Sequence, residues 1–137
     1  MINEQTKKEL LELCVTAREN AYTPYSHYDV GAALLCDDGK IYTGCNIENA
    51  AYSPTICAER TAAVKAISEG AKEIKAVAIS SSGGTFAFPC GVCRQFMCEF
   101  IKEDIPFYIV DNKGNVKESS FYEILPHRFT EEDLYAK

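Results

Sequence analysis

Cys57-Ala58-Glu59-Arg60 and Pro89-Cys90-Gly91-Val92-Cys93 are the two stretches around which the chain is organised. Each is followed by a segment typical of a helix, because alanine and charged residues follow the first and apolar residues recur at helical spacing after the second. Two helices that begin at a common point would bring three sulfurs, a carboxylate and a guanidinium together. These groups have the outline of a zinc site whose fourth position is open.

The three cysteines supply fewer ligands than a structural zinc site usually has. Structural sites usually have four protein ligands, whereas catalytic sites usually have three and a water molecule. Cys90 and Cys93 are spaced so that both sulfurs can hold one ion, and Cys57 supplies the third ligand. The pattern therefore favours a hydrolytic zinc site, with Glu59 placed to move a proton and Arg60 placed to donate hydrogen bonds to the sulfurs.

Other interpretations of the same residues remain open. A buried thiol, a first-turn helix acid and a surface arginine are ordinary roles for Cys57, Glu59 and Arg60 taken singly. A structural zinc site would form if Cys45 or another thiol completed the four ligands. A redox Cys-x-x-Cys pair is a further alternative, although that motif typically follows a strand in a thioredoxin-like context and would leave the glutamate unused.

Alternating helix and strand signals surround the two stretches. The sequence predicts helices at 6–21 and 58–70, a third helix from Pro89-Cys90 to before Pro106, strands at 30–36, 40–47, 74–80 and 107–110, and one or two short helices from Ser119. Asp37-Asp38-Gly39 is a hairpin signal between the first two strands. A hairpin followed by alternating strands and helices favours an α/β fold with a layered sheet of about five strands.

Length and composition exclude several classes of protein. The 137 residues fit a single domain spanning 1–137. Fourteen Lys and Arg against twenty Asp and Glu give a net charge of −6, which disfavours nucleic acid as a partner. No apolar run approaches the roughly 18 residues of a membrane span. Seven cysteines, an odd number without an export signal, favour a reducing compartment and therefore the cytoplasm.

The two cysteine stretches resemble the three-cysteine form of the zinc nucleobase deaminase signature, in which the glutamate is not a metal ligand. Further segments are similar to the small, homotetrameric cytidine deaminases: Pro24-Tyr25-Ser26, Val30-Gly31-Ala32-Ala33, Gly44-Cys45-Asn46-Ile47-Glu48-Asn49-Ala50 and Cys93-Arg94-Gln95. The resemblance runs from about Tyr22 to Leu134. It implies a three-layer α/β/α fold, one zinc ion per subunit bound by the three cysteines, and a homotetramer with sites at subunit contacts.

The resemblance also implies substrate-binding roles. Asn46 and Glu48 would hydrogen-bond the ribose hydroxyls. An amide and a carboxylate suit a neutral diol, and the carboxylate repels a phosphate. Tyr28 stands where the family often has a phenylalanine that stacks near the base, and its alternative role is a core aromatic. Ala58 and Pro89 would flank the base. Phe129 would contact the site of a neighbouring subunit.

The activity that this resemblance implies is hydrolytic deamination of cytidine and deoxycytidine to uridine and deoxyuridine, with release of ammonia, in pyrimidine salvage. Glu59 would take a proton from zinc-activated water, protonate N3 as hydroxide attacks C4, and then protonate the leaving amino group. The alternatives are a deaminase of another aminated nucleoside, such as a blasticidin-type antibiotic, and a non-catalytic module stabilised by zinc. A polynucleotide editor would need a basic groove, for which the chain has no Lys/Arg cluster.

Overall fold

The computed structural model describes residues 2–136 of the chain. Its helices and strands are α1 (Glu4–Ala17), β1 (Val30–Cys36), β2 (Ile41–Cys45), α2 (Ala58–Ser68), β3 (Ile74–Ser81), α3 (Gly91–Cys98), β4 (Pro106–Val110), β5 (Val116–Ser120), α4 (Phe121–Ile124) and α5 (Glu131–Tyr135). Among residues 2–136, none of the helices combines the length and the apolar character that crossing a membrane requires.

The five strands form one mixed sheet in the order β2-β1-β3-β4-β5. Neighbouring strands are antiparallel except for β3 and β4, which are parallel. The predicted hairpin is confirmed, with β1 and β2 joined through Gly39, whose φ of 78° lies in the left-handed region that glycine adopts without strain. The adjacent parallel pair β3 and β4 is connected through α3, and β2 is connected to β3 through α2, which crosses β1.

Helices cover both faces of the sheet. Alternate residues of a strand point to opposite faces, and in β3 the side chains of Ala76 and Ala78 pack with Leu10 of α1. Val77 and Ile79 belong to the larger cluster on the other face, which includes residues of α2 and α3. The predicted α/β fold with three layers is therefore confirmed.

Some predicted boundaries were wrong. The first helix begins at Glu4 and its α-helical part ends at Ala17, before a short 3₁₀ turn. The third helix stops before Pro106, as predicted, and its last residue is Cys98. The Phe100 carbonyl accepts a hydrogen bond of 2.8 Å from the Ile74 N–H at the start of β3. That contact joins distant parts of the chain, so helical periodicity alone could not reveal where the helix stops.

The last third of the chain also differs from its prediction. Strand β5 extends to Ser120, where short helices were predicted from Ser119. The strand is largely exposed and held by antiparallel pairing to β4, for example between Phe107 and Ser119, so its own side chains give little strand signal. The two short helices follow it. A capping box at Ser120 starts α4, where Ser120 and Glu123 cap each other's backbone N–H groups.

Three loops meet at one end of the sheet. Val30 at the start of β1 pairs with Ser81 at the end of β3, and Gly31 pairs with Cys45 at the end of β2. Helix α2 lies directly against β2, because a Cβ added at Gly44 would come within 2.5 Å of the Ala62 backbone nitrogen. The loops that precede β1, follow β2 and follow β3 therefore converge where α2 begins.

Candidate active site

Three cysteine sulfurs meet where α2 and α3 begin. Cys57 is the N-cap of α2, Cys90 is the N-cap of α3, and Cys93 lies in the first turn of α3. Their Sγ atoms all lie within 4.8 Å of one another, and those of Cys57 and Cys90 are 3.8 Å apart. Two thiolates bound tetrahedrally to zinc at about 2.3 Å would be separated by about 3.8 Å. The sulfurs therefore fit one zinc ion.

The donor set has three protein ligands. Among residues 2–136, the group of metal-ligating side chains contains Cys57, Cys90 and Cys93 and no fourth member. Cys45, which could have completed a structural site, is not part of it. The participation of Cys57 also distinguishes the group from a redox pair made of Cys90 and Cys93 alone. A three-ligand site is the arrangement typical of catalytic zinc.

Hydrogen bonds favour a thiolate at Cys57. Hydrogen bonds from the Cys93 thiol and the Arg60 guanidinium lower the pKa of Cys57. Arg60 donates from Nη2 to Cys57 Sγ at 3.6 Å. The partnership with Cys57 raises the pKa of Cys93, because its proton is shared with the neighbouring sulfur. These contacts favour the thiolate form of Cys57, which is the form that binds a metal cation.

Glu59 is a buried carboxylic acid beside the sulfurs. It lies in the first turn of α2 and is only 4% exposed. Burial raises the pKa of Glu59 to about 7, against the hydrogen bond from its own backbone N–H, and the negative charge of Cys57 raises it further. A carboxyl group in this position can both hold and release a proton near neutral pH.

Asn46 and Glu48 lie on a segment that pairs with the stretch of chain leading to Cys57. Ile47 and Ile56 form an antiparallel bridge with N–H to O distances of 2.9 and 3.0 Å. Asn46 Nδ2 donates to the Tyr28 carbonyl at 2.8 Å, and its Oδ1 accepts from the Val30 N–H at 2.9 Å. A cavity of about 400 Å³ is lined by Ile47, Glu48, Asn49, Pro54, Ile56, Arg60, Thr61, Val64 and Phe96.

The other predicted contact residues occupy different surroundings. Ala58 and Pro89 are fully buried and are the chain neighbours of Cys57 and Cys90. Tyr28 is 36% exposed and lies over Gly83, where an added Cβ would come within 2.8 Å of the tyrosine ring, so it is not a core aromatic. Phe129 is 58% exposed. It is joined to α3 through its backbone carbonyl and does not belong to the cysteine group of its own chain.

Two polar residues near the site were not predicted to contribute. Arg94 donates from Nε to the Pro89 carbonyl at 2.7 Å and from Nη1 to the Ile124 carbonyl, which ties the start of α3 to the C-terminal segment. Ser26 contacts Glu48 through its hydroxyl and its backbone N–H. Both lie within segments that resemble the deaminases, and that position was the only signal in the sequence.

Three thiols at two helix starts, on a mixed sheet covered by helices, define a class of zinc-binding α/β proteins. The family model for the cytidine and deoxycytidylate deaminase zinc-binding region matches residues 4–109. The chain therefore belongs to the cytidine and deoxycytidylate deaminase family.

Individual relatives agree with this assignment. The chain is 51% identical over 118 residues to the cytidine deaminase of Sporosarcina psychrophila, covering 86% of this chain and 87% of that protein. It is 44% identical over 128 residues to the cytidine deaminase of Halalkalibacterium halodurans, covering 93% and 97%. The crystal structure of cytidine deaminase from Burkholderia pseudomallei matches with a TM-score of 0.84 at 38% identity, covering 93% of this chain and all of that one.

Proposed function

We propose that the protein catalyses the hydrolytic deamination of cytidine and deoxycytidine to uridine and deoxyuridine, with release of ammonia, as a step of pyrimidine salvage. The observation that carries the proposal is the convergence of three thiols with the buried Glu59 at the starts of α2 and α3. Membership of the deaminase family, and relatives that bear the name cytidine deaminase, support it.

Cys57, Cys90 and Cys93 would hold the zinc ion. When bound, zinc supplies a Lewis acid that brings the pKa of water toward about 7. Arg60 offsets part of the negative charge of the sulfurs through its hydrogen bond to Cys57. The starts of both helices add a partial positive charge on the same side, which further favours the thiolate form of the ligands.

Glu59 moves the protons of the reaction. It accepts one proton from water and delivers it to N3 of the base while the hydroxide oxygen bonds to C4. It then takes the second proton of that oxygen and delivers it to the amino group. The bond between C4 and the amino nitrogen breaks, ammonia leaves, and a carbonyl remains at C4. One water is consumed for each ammonia released, and Glu59 returns to its starting state.

The nucleoside would lie between the cysteine site and the loop before β1. Asn46 and Glu48 would hydrogen-bond the sugar, and their position beside the approach to Cys57 supports this role. The base would lie against Tyr28 and be flanked by Ala58 and Pro89. An acidic protein of net charge −6 that presents a carboxylate to the sugar disfavours a nucleoside phosphate.

The test is an assay of cytidine beside cytosine, CMP and adenosine, with zinc measured on the same sample. We expect one zinc ion per chain, loss of cytidine absorbance and one ammonia released per uridine formed. CMP and adenosine should react far more slowly. A zinc-loaded protein that releases no ammonia would be a non-catalytic module, and one that acts only on another aminated nucleoside would be the other alternative.

A cytoplasmic location is a further part of the proposal. All seven cysteines are free thiols, the state that a reducing compartment maintains.

Assembly into a homotetramer with sites at subunit contacts is also part of the proposal. Exposed Ile47 and Val64 line the 400 Å³ cavity that Arg60 also lines. Val92, which is 62% exposed, lines a neighbouring groove that shares Phe96 with this cavity. Exposed apolar groups of this kind mark association surfaces. Phe129, which is also exposed, would contact the neighbouring subunit's site.

We expect sedimentation velocity to give a mass four times that of the 15.2 kDa chain. Val92→Glu should shift the protein toward smaller species, because it places a charge on the exposed start of α3. Val116→Glu is the matched control, since it places the same charge on an exposed valine of the edge strand β5. A monomer at working concentration, or equal dissociation of both variants, would contradict the proposed assembly.

A further inference from the structure

Glu48 is held by the loop that precedes β1. Its Oε1 accepts hydrogen bonds from the backbone N–H groups of Tyr25, at 3.0 Å, and Ser26, at 3.1 Å. Its Oε2 accepts a short hydrogen bond from the Ser26 hydroxyl. These hydrogen bonds, that of the Ser26 hydroxyl above all, hold the pKa of Glu48 below its usual range. Both oxygens of the carboxylate are therefore fixed from the same short segment.

Ser26 is itself fixed in orientation. Its Oγ donates to Glu48 and accepts from the Tyr28 N–H at 3.0 Å. With the proton directed at the carboxylate and a lone pair directed at a backbone amide, the hydroxyl has little freedom to rotate. Backbone hydrogen bonds hold the loop in place, from Tyr22 N–H to the Asn46 carbonyl at 3.0 Å and from Glu48 N–H to the Tyr22 carbonyl at 2.9 Å.

The side chains of Glu48 and Asn46 have little unused hydrogen-bonding capacity. A carboxylate offers about four acceptor positions, and three on Glu48 are occupied by Tyr25 and Ser26. The unused position is on Oε2, the oxygen that Ser26 orients. Asn46 donates one of its two amide hydrogens to Tyr28, so one donor remains. A hydroxyl that donates to Glu48 and accepts from Asn46 would complete both groups.

We propose that Ser26 is a positioning residue for sugar recognition, which aims the one unused acceptor of Glu48 at a sugar hydroxyl of the nucleoside. This inference rests on the proposed function, in which Glu48 and Asn46 bind the sugar. Ser26 does not touch the reacting atoms, and its removal leaves the cysteine site and Glu59 intact. Without its hydroxyl, Oε2 loses the contact that orients it, although Oε1 is still held by two backbone N–H groups. The sugar would then lose a directed partner.

The experiment compares Ser26→Ala with Ser26→Thr, which keeps the hydroxyl. For cytidine, we expect Ser26→Ala to raise KM about tenfold with kcat unchanged, since loss of ground-state binding acts on KM alone. Ser26→Thr should restore KM. With 2′,3′-dideoxycytidine, which lacks the sugar diol, Ser26→Ala should behave as wild type. Equal losses on both substrates, a fall in kcat, or no change in KM would each overturn the inference.

Two further measurements separate this inference from the proposed function. If wild type does not release ammonia from cytidine, the proposed function fails. If wild type is active and Glu48→Gln raises KM while Ser26→Ala does not, only the role of Ser26 fails. The double variant Ser26→Ala/Glu48→Gln should have the KM of Glu48→Gln alone, because a residue that acts through another adds nothing once its partner is changed. Additive effects would overturn the positioning role.

Discussion

The Glu59→Gln variant is expected to bind one zinc ion per chain and to deaminate cytidine about 10²–10⁴ times more slowly than wild type. Glutamine has nearly the shape of glutamate, so the first turn of α2 and the three thiols keep their positions. Its amide cannot accept a proton from water or deliver one to N3 and then to the leaving amino group. The loss should therefore fall on kcat, with the sugar contacts and zinc content unchanged.

The same variant should fold as well as wild type. Glu59 is 4% exposed, and burial disfavours its charged form, so a neutral amide imposes no greater desolvation cost. Glu69→Gln is the matched control, because Glu69 is the exposed C-cap of the same helix and lies far from the sulfurs along α2. Turnover near the wild-type rate in a zinc-loaded Glu59→Gln protein would exclude Glu59 as the proton carrier.

Local sequence signals were sufficient for the elements that carry the metal site. Cys57 and Cys90 were expected at helix starts, and both are N-caps. Proline before the second of them, and the alanine and charged residues that follow the first, act within one turn of chain and can be read directly. The hairpin around Gly39 is likewise a local feature.

Features that depend on distant contacts could not be predicted in this way. The end of α3 is accompanied by the hydrogen bond between Phe100 and Ile74, and β5 by its backbone pairing with β4. Ser26 meets Glu48 only because the loop before β1 lies against the segment after β2. The spacing of residues within either segment does not predict that contact. A family resemblance predicted that Asn46 and Glu48 bind the sugar. The contact between Ser26 and Glu48 is visible only in the structure.

Removal of one sulfur is expected to abolish both zinc binding and activity. Cys93 is fully buried in the first turn of α3, and its Sγ lies within 4.8 Å of those of Cys57 and Cys90. Cys93→Ala leaves two thiolates, too few to hold zinc tightly among competing water ligands. We expect metal analysis to find little zinc and no measurable ammonia release.

The Cys93→Ala variant should also be less stable than wild type, because it lacks bound zinc. A ligand that binds only the folded state stabilises it by about 4 kcal/mol when its free concentration is 1,000 times its Kd, and this contribution is absent from Cys93→Ala. A zinc chelator should lower the melting temperature of wild type in the same direction, and added zinc should restore both stability and activity. Chelation should change the variant little, because it has no zinc to lose.

Cys98→Ala provides the matched control. Cys98 lies on the same helix, is 8% exposed and is outside the group of three sulfurs. Its loss removes a buried thiol and should cost about 1 kcal/mol while zinc content and turnover stay at wild-type levels. If Cys93→Ala retained zinc and activity, Cys93 would not be a ligand. If Cys98→Ala lost them equally, the loss in Cys93→Ala would be an effect of packing and not of the metal. The contrast between two buried thiols on one helix thus separates loss of the metal from loss of packing.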